Sequence, residues 1–407
     1  MGASAQKYAG GDISMLKKFV DEGAVYNDKD GNAVQPLEFF KAQGWNTMRV
    51  RLFVDPTKAK EDERKQGAIQ DLEYVKALGK QIKDAGFSFM LDFHYSDTWT
   101  DPGKHSTPAA WSSLSVEQLT TKVYEYTEQC LQELNACGAT PDFIQTGNEI
   151  TTGMLWKTGH IYAGGGAPAG GSWENFAGYL ASATKACRDK CPNAKIVIHT
   201  EMHAPNDVPK FYNTLAQYTA VSYDIIGLSY YPDWHDGLSV LNQTLATLES
   251  EHADKDIMIV ETGYGFQWQL PGATKDLTAT YPLSEEGQRK FAADLIAMLS
   301  NHPKVNGLYW WYPEYTLNNI VWKNGTEDWS KDFTSGYWSA SLFHYKTGRA
   351  MQALYELKNF IGNETGIETV SAKQASAKEG CYNMAGQRVA QPAKGIYVIN
   401  GRKTVCK

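Results

Sequence analysis

No stretch of the 407-residue sequence approaches the roughly 20 apolar side chains that cross a bilayer, so no membrane-spanning segment is expected. Basic charge is in deficit. The 39 Lys and Arg, set against 46 Asp and Glu, leave a net charge of −7, and the cations are scattered, which argues against a nucleic-acid partner. Cysteine is scarce, with six in all. None falls in a Cys-x-x-Cys pair and the histidines do not cluster, so zinc is not indicated. The pairs Cys130/Cys137, Cys187/Cys191 and Cys381/Cys406 suit disulfides in an exported protein; for the first two, buried thiols fit as well. The opening MGASAQKYAG lacks an apolar signal core, which leaves a cytosolic chain or one whose leader has been removed.

Aromatic residues, by contrast, are abundant: 12 Trp and 23 Tyr, several beside polar residues rather than inside apolar runs. Flat rings with a hydrogen-bonding edge suit sugar rings, although any single one of them is more often plain core. Short apolar runs alternate with longer segments of helical period. The runs are 8–14, 47–54, 87–95, 142–149, 195–202, 224–231, 256–264 and 307–313. Amphipathic segments fall near 36–44, 71–86, 115–137, 173–190, 207–220, 238–252, 285–302 and 345–361; Leu72, Val75, Leu78, Gly79 and Ile82 mark one buried helical face. Eight near-continuous apolar strands, each followed by a helix, predict a (β/α)8 TIM barrel in the α/β class. An open doubly wound sheet would show a Gly-rich phosphate turn after its first strand, and none is present. From about Asn363 a Ser-, Lys- and Ala-rich stretch reads as a linker. CYNMAGQRVA and KGIYVINGRKTVC then read as strands, with Asn400-Gly401 a tight turn. The expected domains are a barrel over 1–362, then a linker and small β module over 363–407 that Cys381 and Cys406 would staple.

Barrel enzymes carry their chemistry at the C-terminal ends of the strands. Those ends offer Arg49 and Arg51, then Asp92, His94 and Asp97, then Asn148 and Glu149. His199, Glu201 and His203 follow, with Tyr230, Tyr231, Glu261, Trp310 and Trp311 completing the ring. A lone glutamate at a strand end is as often half of a structural salt bridge. Two of them with an arginine and aromatic rings in one ring fit glycoside hydrolysis, which needs a protonated acid and an ionised carboxylate. A metallohydrolase would want His-x-His on the first strand, which reads GGDIS, and a Schiff-base aldolase would want a lysine in the ring.

With those residues placed, GWNTMRVRLFVDP, LDFHYSDTWTDPGKHSTPAAW, QTGNEITTGMLW, GLSYYP, IVETGY and LSEEGQRKF resemble glycoside hydrolase family 53, the endo-β-1,4-galactanases of clan A, over residues 8–361. The resemblance implies a retaining double displacement with Glu149 as acid/base and Glu261 as nucleophile. It implies Arg49 beside the nucleophile, with Asp92, His94, Asn148, Tyr231 and Trp311 around the cleaved sugar, and Trp99, Asp101 and Trp156 lining the cleft. The polysaccharide substrate implied is the β-1,4-galactan of type I arabinogalactan, cut internally by a monomeric enzyme. Some relatives hold calcium after strand 7. Here that loop, FQWQLPGATKDLTATYP, has one acid, Asp276, and in the stretch after strand 8, SGYWSASLF, Ser339 stands where a further acid would fall, so no metal or other cofactor is expected. The tail is similar to C-terminal modules of exported Bacteroidetes proteins, which favours an extracellular, cell-surface or periplasmic location. A clan A mannanase or cellulase, or a carbohydrate-binding protein with a dead site, are the alternatives.

Overall fold

The computed structural model describes residues 6–202, 205–319 and 336–362, together with 381–383, 389, 395–399 and 402–406. The chain forms two compact units, Met1–Gly362 and Asn363–Lys407. In the first, eight parallel strands among the described residues close a barrel: β1 Tyr8–Asp12, β2 Thr47–Leu52, β3 Ser88–Phe93, β4 Phe143–Thr146, β5 Lys195–Glu201, β6 Ile225–Tyr230, β7 Asp256–Thr262 and β8 Val305–Trp311. Each strand pairs with its neighbours in sequence and β8 returns to β1, the TIM-barrel topology expected from the alternating pattern. The intervening helices are α1 Pro36–Ala42, α2 Leu72–Asp84, α3 Val116–Ala136, α4 Trp173–Lys190, α5 Asp207–Leu215, α6 Leu238–Glu251 and α7 Glu285–Leu299. Short polar caps start several of them. Asp71 accepts from Tyr74 N, Ser115 and Gln118 cap each other reciprocally, and Ser172 and Ser284 each accept from a first-turn amide.

The expected strands start within two residues of the observed ones and run too long at their C-terminal ends, where the chain leaves the sheet to build the site. The segment 345–361 forms two short helices, Gln352–Glu356 and Lys358–Ile361, rather than one. A helix over Leu16–Asp21 and a two-stranded ribbon, Tyr26–Asn27 with Ala33–Val34, were not expected. Cys130, Cys137, Cys187 and Cys191 are free thiols, so the disulfide reading of those two pairs is corrected; burial pushes the Cys130 thiol up to about 12. In the second unit Cys381–Asn383, Gly395–Ile399 and Arg402–Cys406 form an antiparallel three-stranded sheet. The staple between the Cys381 and Cys406 side chains, the linker and the Asn400-Gly401 turn lie outside the described residues, as does His203.

The barrel interior is layered. Met90, Phe143, Val197, Ile225, Met258, Val260 and Tyr309 form an apolar cluster with Tyr8 packed against it. Gly10 allows β1 and β2 to approach, since a Cβ there would lie 1.8 Å from the Thr47 carbonyl oxygen. The strands next present Arg49, Asp92, Gln145 and His199, all fully buried. The change from apolar to polar along the same strands is what positions the site.

Candidate active site

Arg49 organises the polar layer. Its Nη1 donates to Asp12 Oδ2 at 2.7 Å, its Nη2 to Asp92 Oδ2 at 2.8 Å and Asn148 Oδ1 at 2.9 Å, and its Nε to Gln145 Oε1 at 3.2 Å. The same Nη2 lies 2.9 Å from Glu261 Oε1. Burial opposes the charge on Arg49, and the carboxylates of Asp92, Glu261 and Asp12 overcome it, so the guanidinium stays cationic. Asp92 is held below the usual carboxylate range by Arg49 and His94 in spite of its burial. Asp12 comes from β1, in register with Arg49.

Glu149 does not lie in β4. The strand ends at Thr146, Gly147 follows with φ of +96°, and Glu149 itself sits in the left-handed region with φ of +50°. This conformation costs an L-residue energy and persists only where the surroundings impose it. They do so here through a backbone hydrogen bond from Glu149 N to His199 Nδ1 at 3.2 Å. Gln145 Nε2 also donates to His199 Nδ1, at 3.0 Å, which makes that nitrogen an acceptor and leaves Nε2 to donate to Ser229 Oγ at 2.8 Å. Burial and the Arg49 charge keep the His199 pKa well below its ordinary value, so the ring is neutral.

The two glutamates have unlike surroundings. Burial, then the charges of Glu261, Glu201 and Asp101, push Glu149 well above the carboxylate range. Burial also raises Glu261, but Arg49 opposes that rise and Tyr231 Oη donates to Glu261 Oε2 at 2.9 Å. Glu149 is thus the more strongly raised of the two, and Glu261 the one whose charged form has a cation and a donor beside it.

A cleft of about 1010 Å³ opens above this floor. His94, Trp99, Asp101, Asn148, Glu149, Tyr231, Glu261 and Trp311 line it. His94 Nδ1 accepts from Thr100 N at 2.9 Å, so its Nε2 carries hydrogen and faces Asp92 Oδ2 at 3.0 Å. Burial keeps His94 neutral. Arg49 and Asp92 lie beneath the cleft and act through the groups that line it. Trp156, expected in the lining, is not among the lining residues. Its Nε1 donates to Thr152 O at 3.0 Å, and its ring stacks on His160 at 3.7 Å.

Several lining residues escaped the sequence reading: Tyr162, Asp207, Trp234 and Tyr337. Tyr162 and Trp234 stand on loops or short helices whose paths no periodicity reveals. Asp12 and Gln145 carried a signal, each a polar residue in or ending an otherwise apolar strand. The hydroxyl of Ser339, which follows β8, accepts from Gln267 N and Trp268 N of the loop after β7, both at 3.1 Å, and donates to Trp268 O at 2.9 Å. Asp276 is exposed and accepts from Thr278, and no group of three or more His, Cys, Asp or Glu among the described residues is arranged to hold a metal ion. The donor set does not fit a calcium ion there.

Residues 8–357 match the model for Glycosyl hydrolase family 53. An uncharacterised protein from Niallia circulans is 34% identical over 88% of this chain and 94% of that protein. A probable arabinogalactan endo-beta-1,4-galactanase A from Neosartorya fischeri is 31% identical over 82% of this chain and 92% of its own length. The solved GH53 catalytic domain of Ignisphaera aggregans superposes with a TM-score of 0.74 at 30% identity, covering 88% of this chain and 97% of that one.

Proposed function

The chain belongs to glycosyl hydrolase family 53, and we propose that it cuts galactan with Glu261 as nucleophile and Glu149 as acid/base. It is an arabinogalactan endo-β-1,4-galactanase that hydrolyses internal β-1,4-galactosidic bonds and releases galactooligosaccharides. One observation carries the assignment of roles. Arg49 and Tyr231 both bind Glu261, whereas at Glu149 burial and the neighbouring negative charges outweigh the hydrogen bond from the Ser229 hydroxyl.

In the first step the ionised Glu261 carboxylate attacks the anomeric carbon as Glu149 gives its proton to the departing glycosidic oxygen. The C–O bond to the leaving sugar breaks and a galactosyl–Glu261 ester forms. In the second step Glu149, now ionised, takes a proton from water, the water oxygen bonds to the anomeric carbon and Glu261 is released. Two inversions give net retention. Neutralising Glu261 by ester formation removes one of the charges that raised the Glu149 pKa, which prepares Glu149 to act as base.

Trp311 offers a ring face beside Tyr231, 6.5 Å between centroids, as a platform for the sugar whose bond is cut. Asn148, oriented by Arg49, and His94, oriented by Thr100 and Asp92, present polar atoms to its hydroxyls. All these groups come from one chain, so a monomer is competent. A polymeric substrate cannot enter a cell intact, which supports an exported enzyme; among the described residues no helix is long and apolar enough to cross a membrane.

Azide rescue tests the roles. Glu149→Ala with azide should yield the β-galactosyl azide, because the ester still forms on Glu261 and azide replaces water. Glu261→Ala should yield the α-azide by direct displacement. The reverse pattern, or near-normal turnover in either variant, rejects the assignment.

A further inference from the structure

The mechanism leaves a third cleft carboxylate unused. Glu201 ends β5 and is only 6% exposed, yet it lines the cleft. Its backbone amide donates to Thr151 Oγ1 at 3.2 Å, which ties it to the segment that carries Glu149. On its other side His235 Nδ1 accepts from Tyr231 N at 3.0 Å, so His235 Nε2 carries hydrogen and faces Glu201 Oε2 at 3.8 Å. Glu201 is thus tied through its backbone to the Glu149 segment and faced at its carboxylate by His235.

We propose that Glu201 is a specificity-determining residue on the leaving-group side of the cleft, where its carboxylate accepts a hydroxyl of the departing sugar. This rests on the reading of Glu149 as the acid. The departing oxygen must lie within hydrogen-bond reach of that acid, so the departing sugar lies beside Glu149 and away from Glu261. Glu201 is on that side. It ends β5, which pairs with the β4 that leads to Glu149, and its amide bonds Thr151 two residues beyond Glu149, whereas Glu261 stands on β7. Tyr162, 55% exposed at the cleft, supplies an apolar face beyond the first departing unit.

Glu201 also acts on the acid it adjoins. Glu149 faces Glu261 from β7, Glu201 from β5 and Asp101 from the loop after β3; the Ser229 hydroxyl on β6 hydrogen-bonds it and lowers its pKa, and the Tyr231 and Tyr337 hydroxyls are nearby. The neutral rings of His105 and His199 meet its backbone. Removing the Glu201 charge lowers the pKa of Glu149, so the protonated acid is lost at a lower pH.

The test compares linear galactan with an aryl galactooligosaccharide whose nitrophenolate leaving group has no hydroxyl to offer and needs little protonation. Glu201→Gln should raise KM about tenfold more on galactan than on the aryl substrate. It should also move the alkaline limb of kcat/KM down by on the order of one pH unit. Glu201→Asp, which keeps the charge but withdraws it, should restore the limb while KM on galactan stays raised. Equal loss on both substrates, or an unmoved KM and limb, overturns the proposal. Should Glu201→Gln fail to fold, the KM comparison in Glu201→Asp decides by the same criterion. Glu149→Ala separates this from the reading beneath it. If that variant is inactive and azide-rescued while Glu201 variants match the parent, only the role of Glu201 fails; if it is active, the assignment of the acid fails.

Discussion

Arg49 and Glu261 meet at 2.9 Å although they come from β2 and β7, which are not neighbours in the barrel. The contact spans the barrel interior and ties the charge of the nucleophile to two further carboxylates, Asp12 and Asp92. Lysine cannot reach these partners together, because it lacks the planar fork. Arg49→Lys should reduce kcat/KM more than about 100-fold. It should also destabilise the fold by about 3–5 kcal/mol, since one ammonium cannot pair all three of the buried carboxylates that the guanidinium holds. Kinetics and denaturant unfolding would check both, and a stable, active variant would contradict the account.

Tyr231 gives Glu261 its other donor. Tyr231→Phe removes the hydroxyl and leaves the ring. The Glu261 carboxylate then loses a hydrogen bond that favours its charged form, so its pKa rises. The acid limb of the rate profile, which reports ionisation of the nucleophile, should move to higher pH, and kcat should fall by about 100-fold. A profile displaced toward lower pH would refute this.

Glu314 is a buried carboxyl just beyond β8. Met15 N donates to its Oε1 at 2.9 Å, and burial with the Asp12 charge raises its pKa from 4.5 to about 8. The folded state therefore holds a proton that the unfolded chain releases above about pH 4.5. Stability contributed by this group is fully present below that pH and is lost between pH 4.5 and about 8, by on the order of a few kcal/mol. Glu314→Gln keeps the acceptor and removes the titration. Its melting temperature should exceed that of the parent at pH 7 to 8 and match it near pH 4. A pH-independent difference would show that the carboxyl is not the titrating group.

The Ser339 hydroxyl makes three hydrogen bonds to the Gln267–Trp268 turn. Ser339→Ala leaves two amides and a carbonyl short of a partner, at about 1–3 kcal/mol. The loop bears Pro271 and Gly272 on the cleft wall, so KM for galactan should rise more than kcat falls. Limited proteolysis should cut this loop faster in the variant. Unaltered proteolysis and KM would remove the serine from this role.

How much of this was legible in the sequence follows from what each residue depends on. Strand cores and long helices could be read because their apolar period is local: Leu72 through Ile82 announce a buried face without reference to anything distant. Glu149 and Glu261 could be read because acids at the ends of apolar strands are conspicuous. The sequence reading placed Glu149 within its strand, while the chain leaves the sheet three residues earlier through Gly147. Asp12 was passed over because its meaning depends on Arg49, which only the β1–β2 register brings alongside. Trp156 looked like a cleft residue because its neighbours in sequence are, yet its ring stacks on His160. Tyr162, Trp234 and Tyr337 were missed because loop paths depend on tertiary packing.

The polar layer beneath the sugar also has a charge balance. With the proton on Glu149, two guanidinium groups, Arg49 and Arg51, face the carboxylates of Asp12, Asp92 and Glu261. This floor is one positive charge short of neutrality. The bond-breaking transition state develops positive charge on the ring oxygen and anomeric carbon, directly above it. The substrate thus becomes the missing counter-ion only at the moment of reaction, and a neutral bound galactan does not. A galactose-shaped amine, cationic from the outset, should occupy the same place more tightly than the sugar it imitates.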